Sequence, residues 1–157
     1  PVTGAVPEAT AVVLGDLRLS YPEREDRSAR LAGALSAAGL GVGSKLAQYL
    51  YNGPEYVESY FAALKIRGVP VNVNYRYLDE ELLHVVADSD AEVLLFHASL
   101  GERVERIRAR APKLKLLLEV DDGGETGTVV GAQAYEDVIA GHAPAARPAP
   151  RCHQPNY

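Results

Sequence analysis

The sequence contains no methionine and no tryptophan, and only one cysteine and two phenylalanines among its 157 residues. A lone thiol, Cys152, excludes an intrachain disulfide and fits a reducing compartment. Histidine is sparse as well. His84, His97, His142 and His153 lack metal-ligand spacing and have no cysteine pair nearby, which speaks against a metal site. No apolar run approaches the ~20 residues of a membrane span, and the N-terminus lacks a basic-then-apolar leader. A cytoplasmic protein without a transmembrane segment is therefore expected. With no methionine at position 1, a processed, trimmed or incomplete start is expected. An excess of positive charge is also lacking: the formal net charge is −5, with both signs interspersed. That excludes nucleic acid as a partner, because phosphate binding needs a basic face to displace counterions.

What is present is ordinary for a soluble globular chain, at 47% hydrophobic and 24% charged. The length suits one domain with a full core. Two β-prone runs within AVVLGDLRLSY, 11–21, flank Gly15-Asp16, and glycine first in a two-residue loop predicts a type II′ hairpin. Ser20 and Glu23 have capping-box spacing around Pro22, so a helix starts there, with Leu31, Ala34, Leu35 and Ala38 at helical spacing and Gly39 as its stop.

A regular alternation follows. Strands are predicted at 45–51, 69–73, 92–96 and 114–120. Between them lie helical stripes: Val57, Tyr60, Phe61 and Leu64; then Leu82, Val85 and Val86; then Leu100, Val104, Ile107 and Ala111. Short apolar strands separated by amphipathic helices predict an α/β fold, a parallel sheet with helices on both faces, preceded by the N-terminal β-hairpin. DDGGETGTVVG, 121–131, reads as a mobile glycine-rich loop, and 134–142 as a short helix on Tyr135, Val138 and Ile139. From Ala143 the prolines and lack of period predict an extended or disordered tail.

Several signals fail on context. GLGVGS, 39–44, follows a helix and precedes a strand, the reverse of a dinucleotide fingerprint, so it reads as a helix end and loop. Ser89 and Ser99 have no accompanying base or elbow, and no nucleophile stands out. GERVERIRAR, 101–110, reads as a solvated helix face with Glu102 and Arg106 in favourable i,i+4 order. The tyrosines are less usual. Tyr51 and Tyr75 both fall at carboxyl ends of strands, where parallel α/β sheets bind ligands.

Taken in order, the segments resemble the N-terminal part of the AMP-forming acyl-CoA synthetases, in the fatty-acid–CoA ligase branch. The features carrying the resemblance are the Ser20-Tyr21-x-Glu23 helix start running to Arg30-Leu31-Ala32, then Gly41-x-Gly43-Ser44-Lys45. Asn52-Gly53-Pro54-Glu55-Tyr56 leads a helix to Ala63-Leu64-Lys65, and Asn74-x-Arg76 precedes Glu80-Glu81-Leu82. Asp88-Ser89-Asp90-Ala91 and Ala134-Tyr135-Glu136-Asp137 complete the set. The resemblance implies a flavodoxin-like subdomain over residues 1–147. It also implies an activity requiring ATP, magnesium and CoA, in which a carboxylic acid passes through an acyl-adenylate to its CoA thioester.

Residues 148–157 depart from the family. A Ser/Thr/Gly-rich phosphate loop ending in Pro-Lys-Gly is due there, yet from Arg147 the sequence reads RPAPRCHQPNY, and no lysine follows Lys115. Arg24 replaces a usually apolar residue and Leu78 a frequent capping threonine, leaving Asp79 to cap the next helix. The expectation is an N-terminal portion without catalytic residues or metal ligands, inactive alone and using no cofactor by itself. Its partner is the missing C-terminal portion or, by self-association, another copy. The alternative is a non-enzymatic α/β remnant or partner-binding module. By resemblance, the turn Asn74-Tyr75-Arg76 lies near bound CoA, and Arg103 and Arg106 fall where an arginine pair meets its phosphate; a bidentate, always-charged pair suits that task.

Overall fold

The structure, a computed structural model, describes residues 2–6 and 8–146. A short helix α1 (Val2–Ala5) precedes a hairpin of β1 (Thr10–Leu14) and β2 (Leu17–Ser20). Gly15 takes a positive φ of 55° and Asp16 does not, as a type II′ turn requires. Ser20 then caps α2 (Tyr21–Ala37): its backbone N–H donates to Glu23 at 2.7 Å, and its hydroxyl accepts the Glu23 N–H at 3.4 Å.

The remaining elements alternate. They are β3 (Lys45–Tyr49), α3 (Pro54–Lys65), β4 (Val69–Asn72), α4 (Asp79–Asp88), β5 (Val93–His97), a 3₁₀ turn (Ala98–Leu100), α5 (Gly101–Arg108), β6 (Leu116–Val120), β7 (Gln133–Ala134) and α6 (Tyr135–Gly141). The five strands β3 to β7 form an all-parallel sheet ordered β4-β3-β5-β6-β7. Successive residues of β5 serve opposite faces, so Val93 and Leu95 pack in one core while Leu94 and Phe96 pack in the other. The first core is closed by Leu31 and Leu35 of α2, Ala62 and Ala63 of α3, and Tyr135, Val138 and Ile139 of α6. The second is closed by Leu82 and Val86 of α4 and Val104 and Ile107 of α5.

Four expectations are corrected. The stripe Tyr60, Phe61 and Leu64 is not the buried face of α3: these side chains are 42%, 37% and 42% exposed. The buried face is Pro54, Glu58, Ser59, Ala62 and Ala63, whose small residues let α3 approach α2 and β3 closely. Helical periodicity finds a stripe but cannot choose between two faces of one helix. Asp79 is not the cap of α4; Leu78 holds that position, and its N–H donates to the Glu81 carboxylate at 3.1 Å. The loop at 121–131 is tied down by carboxylates. Asp121, Asp122, Glu119 and Glu105 accept the N–H groups of Gly123, Gly124, Gly127 and Val130. Residues 143–146 lie across α2, where the Ala145 N–H donates to Ala29 O at 2.8 Å. A Cβ on Gly33 would stand 2.2 Å from Ala143 O, so only glycine permits this crossing. Helix α1 and the two-residue β7 gave no periodic signal. The Pro-rich tail of 148–157 lies outside the described residues.

A buried polar group joins three helices. Glu58, fully buried, accepts from Arg27 Nε at 2.7 Å and from the Tyr135 hydroxyl at 2.9 Å. Arg27 also grips Glu136 with both terminal nitrogens, at 3.0 and 2.6 Å. Burial, reinforced by the Glu58 charge, pushes the Tyr135 phenol well above its ordinary pKa, so it stays a donor. No helix among the described residues is long and apolar enough to cross a membrane.

Candidate ligand-binding edge

The strand order fixes where a ligand can sit. The chain runs from β3 outward to β4, then returns past β3 to add β5, β6 and β7 on the other side. Helices therefore leave in opposite directions above β3 and β5, and the crevice at their carboxyl ends is the topological switch point of the sheet. Tyr51 follows β3, His97 closes β5, and the Asn74–Tyr77 turn follows β4.

The turn is built locally and clamped from below. Tyr77 N–H donates to Asn74 O, and Arg76 N–H donates to Asn74 Oδ1, both at 3.0 Å, which makes an Asx turn. Beneath it the Tyr49 ring is fully buried, and its hydroxyl donates to Tyr77 O at 2.7 Å. Arg103 Nη1 reaches the same centre, with Tyr49 Oη at 3.1 Å, Tyr75 O at 3.3 Å and Tyr77 O at 3.5 Å. Burial raises the Tyr49 pKa, and the neighbouring guanidinium pulls against that. The Tyr49 hydroxyl is therefore a fixed donor.

The sequence-derived candidates divide on this geometry. All five, Asn74, Tyr75, Arg76, Arg103 and Arg106, gather at one corner, but their free valences differ. Arg103 serves the turn carbonyls. Arg106 is bidentate on Asp79, at 2.6 and 3.2 Å, and its hydrogen bond holds the Asp79 carboxyl below its ordinary pKa. Arg76 stands over the Tyr75 ring, 5.6 Å from its centroid, and makes no ion pair among the described residues.

Across the crevice lie residues the sequence reading passed over. His97 is buried, 6% exposed, and its Nδ1 accepts the Tyr51 N–H at 3.1 Å. The ring proton is thereby assigned to Nε2, and burial lowers the His97 pKa against the pull of Asp122. The Tyr51 ring meets Tyr75 edge-on and tilts over His97, with both centroids 5.0 Å away. Tyr51 Oη lies 3.3 Å from Ser99 Oγ, which donates to Asp122. Burial alone would raise the Asp122 pKa, but hydrogen bonds from Ser99 and Gly124 outweigh it and leave the carboxyl below its usual value. One signal could have found His97: a polar residue closing the apolar run VLLF sits where such sheets bind ligands.

Chemically this is an edge for stacking and anion contact. Ser99 points its proton at the Asp122 carboxylate, a weak base held below its usual pKa, and His97 spends its lone pair on a backbone N–H, so no imidazole serves the hydroxyl. In the glycine loop 121–131 the Gly123, Gly124 and Gly127 N–H groups are already taken by carboxylates and are not free to cradle a phosphate.

The sequence matches the family of AMP-binding enzymes over residues 3–155. It is 36% identical, over 99% of its length, to the medium-chain acyl-CoA ligase Mig of Mycobacterium avium, of which it spans 30%. It is 32% identical over 88% of its length to the 3-oxocholest-4-en-26-oate–CoA ligase of Rhodococcus rhodochrous, of which it spans 25%. Solved structures agree in fold. The fatty acyl CoA synthetase of Mycobacterium tuberculosis superposes with a TM-score of 0.79 at 22% identity, over 96% of this chain and 28% of that one. A benzoate CoA ligase from Burkholderia xenovorans gives 0.79 at 20% identity, over 94% and 28%. This chain belongs to the AMP-binding enzyme family, the class that includes the acyl-CoA ligases. It spans less than a third of the length of those curated relatives.

Proposed function

We propose that the chain is the N-terminal portion of an acyl-CoA ligase that activates a fatty or related carboxylic acid with ATP and transfers it to CoA. The observation carrying this reading is the conjunction of family membership with a ligand edge at the sheet's switch point, lined by Tyr51, Tyr75 and Arg76. The edge fits a nucleotide-like group such as CoA. Tyr75 and Tyr51 supply faces for stacking, and the Arg76 guanidinium can meet a phosphate. Arg103 holds the turn carbonyls through Nη1 alone, whereas Arg106 commits Nε and one terminal nitrogen to Asp79. No group of three or more metal-ligating side chains occurs among the described residues. In this reading ATP and magnesium are held by the larger portion of a ligase, and the chain alone is inactive.

The test is ATP–pyrophosphate exchange with a medium-chain fatty acid. It is run on the chain alone and after mixing with the larger portion of the Mycobacterium avium ligase. Exchange only in the mixture is expected. Exchange by the chain alone would overturn the assignment of the ATP site elsewhere, and none in the mixture would overturn the ligase reading.

A further inference from the structure

The amino edge of the sheet, opposite the crevice at the carboxyl ends, carries a cavity of its own where helices α4 and α5 both end. Val86, Ala87 and Ala91 from the end of α4, with Ala111 and Pro112 after α5, line a pit of about 170 Å³. Asp90 and Lys113 complete its wall. Val86, Ala91 and Ala111 are buried, whereas Ala87 is exposed. An apolar cavity of about 150 Å³ takes a molecule the size of benzene, so the pit has room for an apolar body of about six carbons.

A polar trough of about 380 Å³ adjoins the pit and shares Asp90, Pro112 and Lys113 with it. Its other walls are Lys45 at the start of β3, Glu92 before β5 and Lys115 before β6. Lys113 pairs with Asp90 at 2.7 Å and Lys115 with Glu92 at 2.6 Å, while Lys45 makes no ion pair among the described residues. Those two hydrogen bonds, with the added charge of Lys45, hold the Asp90 and Glu92 carboxyls below their usual range. Three ammoniums thus stand against two carboxylates, a local positive excess in a chain of net charge −5. The helix ends do not offset it. The Val85, Val86 and Ala87 carbonyls already accept the Ser89, Ala91 and Asp90 N–H groups, and Ile107 and Arg108 are satisfied likewise. Asp90 itself takes a positive φ of 56°, at the position after a helix where glycine is usual. The backbone there is held in a sparsely populated conformation at a residue common to pit and trough.

We infer that this amino-edge cleft binds a small carboxylate, with its apolar body in the pit and its charged head in the trough against Lys45 and Lys113. The inference does not rest on the ligase reading, and none of its residues belongs to the carboxyl-end crevice. The chemistry of the walls selects the ligand. The pit takes a ring or short chain and excludes a bulky one. The Lys45 ammonium has three donors with no carboxylate of its own to receive them. The excess in the trough is a single charge, which matches a carboxylate better than a phosphate monoester of charge about −2.

The experiment titrates benzoate into the isotope-labelled chain and follows the backbone amides by NMR. Saturable shifts are expected at Ala87, Ala91, Ala111 and Lys113, with an affinity on the order of 1 mM. The Tyr51, Tyr75 and His97 amides, at the other end of the sheet, serve as the reference and should stay in place. Benzylamine and benzyl alcohol carry the ring without the negative charge and should bind about fivefold more weakly or worse. Lys45→Gln breaks no ion pair, so its urea midpoint should match the parent while benzoate binding weakens about fivefold. Ala87→Phe, from an exposed position, should obstruct the pit and weaken binding of every ring-bearing probe. Asp90→Gly suits the backbone, removes a repelling carboxylate and releases Lys113, so benzoate should bind about threefold more tightly. A cation site would show the opposite sign at both Lys45 and Asp90. The inference is overturned by the absence of saturable shifts in the millimolar range, or by shifts gathered at Tyr51, Tyr75 and His97. Equal binding of benzylamine, tighter binding of phenyl phosphate, or unchanged affinity in Lys45→Gln would overturn it as well.

Discussion

Arg27→Ala tests how the three helices over one face of the sheet are held together. The substitution strands Glu58, a carboxylate with no exposed surface, leaving the Tyr135 hydroxyl as its sole side-chain partner. Removing one member of a buried pair costs about 3–5 kcal/mol, because the remaining charge is uncompensated. Arg27 is 26% exposed, and part of its pairing is with the exposed Glu136, so solvent screens some of the interaction. The lower end applies, about 3 kcal/mol. Against a total stability of roughly 5–15 kcal/mol, that is a large share. The urea midpoint should fall accordingly with the slope unchanged. Adding Glu58→Gln removes the stranded charge, so the double variant should recover about 2 kcal/mol of the loss, a coupling that separates charge from packing. A single-variant loss below about 1 kcal/mol, or a double variant no more stable than the single one, would refute the reasoning.

Three further outcomes follow from the ligand edge. Gly124→Ala would bring a Cβ within 2.6 Å of Ser99 N and 2.8 Å of Ser99 Cα, both backbone atoms. It should therefore detach the 121–131 loop, seen as faster amide exchange at Gly123 to Gly127, whereas Gly123→Ala, open to solvent, should not act by collision. Because burial lowers the His97 pKa, the unfolded chain binds the extra proton first. The corresponding stability is present above the unfolded value of about 6.5 and is lost as pH falls through the lower folded value. His97→Gln should flatten the urea-midpoint profile between about pH 7 and 5, and an unchanged slope would contradict this. Arg103→Ala should loosen the Asn74–Tyr77 turn by about 1 kcal/mol, read as faster exchange at the Tyr77 amide with the helix α5 amides unaffected.

Much of the architecture was legible before any coordinates. The hairpin turn at Gly15, the Ser20–Glu23 box, four of the five parallel strands, Leu31, Ala34 and Leu35 of α2 and the inward residues of α5 and α6 each follow from short-range chemistry acting locally, whereas Ala38 lies exposed beyond the end of α2. What the sequence hid was the choice between two surfaces of one helix. In α3 the conspicuous period belongs to the outer stripe, while the true core face is small and partly polar, anchored by Gln48 donating to Ser59 and by Arg27 donating to Glu58. The Asn74–Tyr77 corner lies at the carboxyl edge as its sequence suggests, while the intramolecular contacts of the nearby arginines were not legible. Arg103 and Arg106 gain their partners from Tyr49 on β3 and Asp79 on α4, contacts 54 and 27 residues distant that no local pattern encodes. The same holds for Ser99 and Asp122, which meet only because β5 and β6 pair in register.

The account stands most directly on thioester formation. The chain, the larger portion of the Mycobacterium avium ligase, or both together would be supplied with ATP, magnesium, a medium-chain fatty acid and CoA, and loss of the free CoA thiol followed. The prediction is thiol loss only when both portions are present, dependent on ATP and on the acid, and slower at limiting CoA with Arg76→Ala. Thiol loss that is equally fast without this chain, or none when the two portions are combined, would contradict it.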